Sequence, residues 1–326
     1  MSVFRTIVEV PKSKFTINHQ SKIMMLGSCF VENIGAKLQE LKFNIDLNPF
    51  GIIFNPISAA ECLRILIENI AFTENDLFLH NEKWNSFQHH SRFSNTDKQK
   101  CLQEINQRIQ YSTEFLKTAD YLFLTFGTAW VYYNMENSHP VSNCHKLPAN
   151  RFERKMLDIK DIVLIYKEVI NDLIKLNSNL KIVLTVSPVR HFKDGAEGNQ
   201  LSKAVLLVAI NELRKSGLSE YFPAYEIVLD DLRDYRFYEK DMLHPNGLAI
   251  DYIFEKFSNT FFETPTIELN KELDKIAMAL NHRPVNEASD GYKNFINTTI
   301  SKINDIKKSH PYLNFSAENE NFKSFK

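Results

Sequence analysis

Alternating strand-like and helix-like segments along 326 residues predict an α/β fold built on a parallel sheet. Two further observations support this class. Glycine is scarce, nine in all, yet Gly27 and Gly127 each close a short apolar run, where the chain must turn from a strand end into the next element. Beyond residue 265 the strand signal stops and only helical periodicity remains, which predicts a core over 1–262 and a helical C-terminal extension over 263–326.

The first strand is 23–26, followed by a helix over 30–41 because Val31, Ile34, Leu38 and Leu41 recur on one face. Residues 44–47 are extended and lead into the turn Asn48-Pro49-Phe50-Gly51. Pro56 and Ser58 open a second helix, with Ala60, Leu63, Ile67 and Ile70 as its apolar stripe. Residues 75–96 interrupt the alternation. They are rich in aromatics, His and Asn, with Trp84, Phe87, His89, His90 and Phe93, and predict an insertion or irregular hairpin over the sheet edge. A helix over 98–118 precedes a buried strand over 121–126. Residues 134–155 read as a long polar connection containing Asn143-Cys144-His145-Lys146. A helix over 159–176 leads to a buried strand over 181–186, which ends in Ser187-Pro188-Val189-Arg190-His191. A helix over 199–216 is followed by a last strand over 226–229. A polar loop then carries Asp241 and His244 into a helix over 246–262. Helices over 269–280 and 292–306 and a polar tail over 311–326 complete the chain. This extension is expected to pack on the core or to form the face of a homodimer.

Bulk properties exclude several classes. Lys and Arg number 39 against 40 Asp and Glu, a net charge of −1, so nothing points to nucleic acid or an anionic membrane surface. Cys29, Cys62, Cys101 and Cys144 form no CxxC pair, which argues against a zinc ribbon or a disulfide framework. The first residues carry no apolar signal segment, and no run approaches the roughly 18 apolar residues of a membrane span. The expectation is a cytoplasmic protein without a cofactor.

In an open parallel sheet, ligands bind beyond the carboxyl ends of the strands. Those ends carry Ser28, the Gly51 turn, Gly127-Thr128, the 187–191 segment and the loop to His244. Ser28 is a candidate nucleophile, since a hydroxyl at a strand-to-helix turn faces solvent beside helix-start amides. A serine needs an adjacent base. His244 is the candidate base, and Asp241, three residues earlier, can fix its tautomer. Pro245 suits the first position of the following helix. The alternative for Ser28 is a helix cap. Cys29 would be the stronger nucleophile as a thiolate, but adjacent residues point in different directions. The oxyanion donors expected are the amides of Ser28 and Gly51, with Gly127 a further candidate. His89, His90, His145 and His191 lack helical ligand spacing, which favours pocket lining or surface over metal. Trp84 and Phe87 can stack on a sugar, pack on an acyl chain or fill the core. Arg190 can meet a substrate carboxylate or phosphate, or pair with an internal acid.

The chain resembles the GSCFA family. Gly27-Ser28-Cys29-Phe30 carries the resemblance, together with Gly127-Thr128-Ala129-Trp130, Asn143-Cys144-His145-Lys146, Ser187-Pro188-Val189-Arg190-His191 and Asp241-Met242-Leu243-His244-Pro245. It spans roughly residues 4–262. The family's relation to SGNH/GDSL-type hydrolases implies a flavodoxin-like three-layer core, with Ser28 as nucleophile, Gly51 and Gly127 at the second and third blocks, and Asp241 and His244 as acid and base. The sequence departs from the wider pattern at Ala129, where an asparagine commonly donates to the oxyanion. Asn143, His145, His89 or His90 would then supply that donor. The resemblance implies a serine esterase, with an acetylated carbohydrate as a substrate class. The rival expectations are an acyltransferase acting on sugar hydroxyls and a non-catalytic module binding a carbohydrate or anion at the same strand ends.

Overall fold

The computed structural model describes residues 5–281, 289–316, 318 and 320. Its centre is a five-stranded sheet of β1 (Lys22–Gly27), β2 (Asn44–Leu47), β5 (Tyr121–Phe126), β9 (Lys181–Val186) and β10 (Glu220–Tyr221). The spatial order is β2-β1-β5-β9-β10, and every neighbouring pair is parallel. This is the doubly wound flavodoxin-like order, in which the chain reverses direction across the sheet between β1 and β5.

Side-chain alternation along the strands divides the core into two layers. Met24, Leu26, Leu122, Leu124, Phe126, Ile182 and Leu184 face the layer of α2 (Pro56–Glu68), α3 (Lys98–Lys117), α4 (Ile159–Leu176) and α5 (Gly195–Lys215). Ile23, Met25, Tyr121, Phe123 and Val183 face α1 (Cys29–Glu40) and α7 (Gly247–Phe261). The result is a three-layer α/β/α protein, as the sequence predicts.

The insertion is a hairpin of β3 (Phe78–His80) and β4 (Lys83–Asn85), with Asn81 and Glu82 at positive φ in its turn. Three expectations are corrected. Residues 134–155 are not a plain connection: β6 (Trp130–Asn134), β7 (Pro140–Val141) and β8 (Phe152–Met156) form a second, antiparallel sheet. Polar strands hid it, because Arg154 lies across the strand pair with its guanidinium over Trp130 at 4.4 Å and Tyr132 at 5.3 Å. The apolar run at 226–229 is not a strand. It lies in α6 (Ala224–Glu226) and a π-helical turn over Ile227–Asp231, and the last strand is β10. A run that short fits a buried helix as well as a strand. Part of the expected polar tail is apolar and packed, since Leu313 and Phe315 are buried and Lys42 pairs with Glu318, while 317, 319 and 321–326 lie outside the described residues.

The extension consists of α8 (Thr264–Asn281) and α9 (Asp290–Ser309), and it packs on the core. Leu269, Leu273, Ile276, Ile296 and Ile303 join the same apolar cluster as α1 and α7. No helix among the described residues is long and apolar enough to cross a membrane.

The turn out of β1 requires glycine. Gly27 has φ +152°, and a β-carbon there would stand 2.4 Å from the Thr125 carbonyl oxygen. Gly27→Ala is expected to destabilise the protein by about 2–5 kcal/mol through strain and forced separation of two central strands. Equilibrium urea denaturation measures this, and a cost under about 1 kcal/mol would show that the strands separate freely.

Candidate functional site

Ser28 occupies the first position after β1 and precedes α1, but it is not a working cap. Its side chain makes no capping hydrogen bond. The hydroxyl is fully buried and has no hydrogen-bonding partner among the described residues. Buried hydroxyls are ordinarily satisfied, so an orphan at a strand-end switch point marks a candidate ligand-binding position. Next to it, burial pushes the Cys29 thiol above its ordinary value, which keeps it protonated at neutral pH.

Asp241 and His244 form the expected pair. His244 Nδ1 lies 2.6 Å from Asp241 Oδ2, while Asp241 Oδ1 accepts from the amides of Leu243 at 2.9 Å and His244 at 3.0 Å. Those two amides and the imidazole hold the Asp241 carboxyl down to about 2, so it is ionised. Met242 takes positive φ to let the loop close around the carboxylate. The helix cap is Asn246, which accepts from Ala249 N at 3.1 Å, so Pro245 sits just outside α7 rather than in its first turn. The pair is exposed, and His244 lies in a groove beside Asn33 and Ala36 of α1. No hydrogen bond joins His244 to Ser28.

The expected glycine donors are already committed. Gly51 N donates to Asn48 O at 2.8 Å, and Gly127 N and Thr128 N both donate to Phe54 O, at 2.7 and 3.0 Å. Gly51 is needed for a different reason: at φ +84° it lies beneath His90, whose β-carbon would be 2.2 Å from any β-carbon at 51.

The proposed substitute donors have partners of their own. Asn143 Oδ1 accepts from His145 N at 2.8 Å and so shapes a turn with positive φ at His145 and Lys146. His145 Nε2 lies 2.8 Å from Ser86 O, and His89 Nδ1 lies 3.0 Å from Ser86 Oγ. His89 is enclosed by Phe50, Phe72 and Phe93, and burial pushes its pKa down to about 3, with His145 adding to the shift. His90 Nδ1 accepts from Arg92 N at 3.3 Å. These residues tie the hairpin to the 143–147 loop. Phe87 packs on Phe78 at 4.2 Å, and Lys98 stands over Trp84, so both rings serve packing. Cys144 is not an activated thiol, since burial raises it to about 11. Among the described residues no three His, Cys, Asp or Glu side chains gather as a metal site.

Arg190 lies at the wall of a cavity of about 580 Å³ that also includes Asp241. Among the described residues it pairs with no acid, and its Nε is buried without a partner. His191 is packed edge-on to Phe54 and close to Gly127, and burial lowers its pKa to about 4, so it is neutral.

Two further residues belong to the site. Lys203 is 1% exposed, and its ammonium donates to Gly127 O at 2.7 Å and Ser187 O at 2.6 Å, joining the ends of β5 and β9. Its signal in the sequence is position: it takes a place on the buried stripe of α5 with Asn199, Leu206, Ile210 and Leu213. Asn48 is fully buried at φ +44°, and its side chain accepts from Gly27 N at 2.9 Å. Nothing in its sequence neighbourhood separates it from an ordinary turn asparagine.

The model of the GSCFA family matches residues 22–257, and that of the C-terminal domain of GSCFA domain proteins matches residues 273–325. The chain belongs to the GSCFA family. No curated protein matches it. Among solved structures, similarity extends to a family two carbohydrate esterase from Clostridium thermocellum, at 12% identity and a TM-score of 0.37, over 82% of this chain and 68% of that one. An acetyl xylan esterase from Butyrivibrio proteoclasticus gives 10% and 0.38 over 74% and 63%, so less than two thirds of that chain is spanned. A family 3 carbohydrate esterase from Talaromyces cellulolyticus gives 11% and 0.33 over 78% and 99%.

Lys203 makes a stability test. Burial lowers its pKa to about 7, and the nearby Arg190 adds to this against the opposing influence of Cys29. An unfolded lysine keeps its proton to about pH 10.4. Through the window between, the unfolded chain binds more protons than the folded one, so this group makes the protein more stable as pH rises and less stable as pH falls towards 7. Lys203→Met removes that dependence and leaves two carbonyls unpaired, each costing about 1–3 kcal/mol. In urea titrations the deficit of Lys203→Met relative to wild type is expected to widen as pH rises from about 7 to 10. A deficit that is constant with pH would show that Lys203 keeps its proton throughout.

Proposed function

We propose that the protein is a serine esterase of the SGNH type. The observation that carries this reading is the Ser28 hydroxyl: buried, unpartnered and released from capping at the β1–β5 switch point. Ser28 Oγ attacks the ester carbonyl as its proton passes to His244 Nε2. Asp241, ionised and bonded to Nδ1, selects the tautomer that leaves Nε2 free to accept and then stabilises the imidazolium. The Ser28 amide at the start of α1 receives charge on the carbonyl oxygen. Collapse expels the alcohol, which takes the proton from His244. Water then attacks the acyl-enzyme by the same route and restores Ser28. His244 must approach Ser28 for the first transfer, and such contacts tighten when substrate binds. Acetylated carbohydrate is the substrate class carried by this reading.

Fluorophosphonate labelling followed by peptide mapping is expected to mark Ser28. Ser28→Ala should lose the label and reduce turnover of a short-chain ester by at least about 10³-fold, whereas Cys29→Ala should keep both. Label that survives Ser28→Ala and disappears in Cys29→Ala moves the nucleophile to the thiol. Turnover should also fall on acidification, because imidazolium cannot accept the proton; a chemical step that stays flat from about pH 5 to 8 removes His244 as the base. Added sugar acceptors that yield ester without free acid would reassign the reaction to acyl transfer.

A further inference from the structure

The cavity of about 580 Å³ beside Asp241 has an unusual charge balance. Its wall is mostly apolar and aromatic, with Val228, Leu232, Phe192, Tyr235 and Tyr238 among its residues. Most of its charged groups have protein partners. Arg233 pairs with Asp230 at 2.6 Å. Asp234 caps the Arg236 amide at 2.9 Å. Asp241 is held by two amides and His244.

Arg190 is the exception. Among the described residues it makes no hydrogen bond or ion pair, and its Nε is buried without a partner. The nearby carboxylate of Asp194 is taken by Arg154. Arg190 lies instead over the Phe192 ring, with its guanidinium 5.4 Å from the centroid. The buried Lys203, close enough to Arg190 to be lowered by it, adds no negative charge to offset it. A partly buried guanidinium with one nitrogen enclosed and unpaired, set among rings and aliphatic chains, keeps its remaining N–H groups available to a bound anion.

We propose that this cavity binds the carboxylate of an acidic, ring-bearing substrate, with Arg190 as the carboxylate-binding residue and Phe192, Tyr235 and Tyr238 facing the ring. A guanidinium fork matches a planar carboxylate through two parallel hydrogen bonds. A phosphate dianion fits less well, because Asp241 carries a fixed negative charge on the same wall. Aromatic and aliphatic walls suit the apolar face of a pyranose or an aryl ring. The cavity adjoins Asp241 and therefore the His244 pair, so a molecule held there has a neighbouring group presented to the reaction. The inference rests on the esterase reading for what is done to that group, while the binding itself is measurable without turnover.

The test compares phenyl β-D-glucuronide with phenyl β-D-glucoside, which share ring and aglycone and differ in the carboxylate, by calorimetric titration of the full chain. The glucuronide is expected to bind about 10- to 100-fold more tightly. Arg190→Met should bring the two ligands to equal affinity. Arg190→Lys, which keeps the charge and loses the fork, should retain only part of the preference and serves if the methionine variant does not fold. Ser28→Ala should keep the full preference. Equal binding of the two ligands, no binding of the glucuronide at millimolar concentration, or a preference that survives Arg190→Met in folded protein each overturns the proposal. Absence of ester turnover in the wild-type protein while the preference stands would defeat the esterase reading alone.

Discussion

At Gly27 the backbone of β1 lies against Thr125 so closely that no side chain fits between them. The same residue is held at both of its polar atoms by the β2–α2 connection. Asn48 Oδ1 accepts from its N–H, and Ile53 N donates to its carbonyl. One residue further on, Phe54 O accepts from both Gly127 N and Thr128 N. A single loop thus knits the ends of β1 and β5 through backbone atoms and the Asn48 side chain. Ser28 is the next residue after this anchor, and its place beyond the strand follows from it. Arg92 extends the anchor outwards, donating to Asn48 O and pairing with Glu32 at 3.3 Å.

A second tie works through charge. Lys203 crosses from α5 to satisfy the carbonyls of Gly127 and Ser187, while Ser202 beside it donates to or accepts from Thr128 Oγ1 at 3.1 Å and accepts from Ala129 N at 2.7 Å. The neighbouring ring of His191 is neutral because burial disfavours its charged form, and a nearby ammonium disfavours it further. Positive charge at the strand ends is therefore concentrated in Lys203 and Arg190, one paired with carbonyls and the other unpaired. The histidines that the sequence offered as pocket groups do the opposite work. Ser86 holds His89 and His145 at once, and both titrate below their ordinary range because they are buried.

The sheet was legible because its strands are buried on both faces, and such strands read as short continuous apolar runs. Residues 121–126 and 181–186 match β5 and β9 to the residue. The antiparallel sheet was not legible, since its strands carry Tyr, Asn, Glu, Arg and Lys and are stabilised by stacking across strands. The apolar run at 226–229 was misread for the converse reason: burial alone produced its pattern, and burial does not distinguish a strand from a π-helical turn. At the site, Asp241 and His244 were legible because their pairing is local, three residues apart. The commitments of Gly51 N and Gly127 N were not, because their acceptors, Asn48 O and Phe54 O, are backbone atoms that leave no trace in residue identity. Arg190 stood open between an internal acid and an external one, and only the position of Asp194, taken by Arg154, separates the two.

Ala129 gains a physical explanation. Its side chain is fully buried within the cluster formed by α2, α4 and α5, its amide donates to Ser202 Oγ, and its carbonyl accepts from Leu157 N at 2.9 Å. An asparagine at this position would place an amide among apolar side chains, where each unpaired polar group costs on the order of 1–3 kcal/mol. The residue after Thr128 therefore cannot serve the crevice in this protein, whatever its identity, because the chain has already turned towards β6. The strand end is built differently here: where an asparagine would face a ligand, Ser202 and Lys203 of α5 fasten the backbone from behind. The start of α1 stands close to the buried Lys203, for which the described residues offer no carboxylate partner.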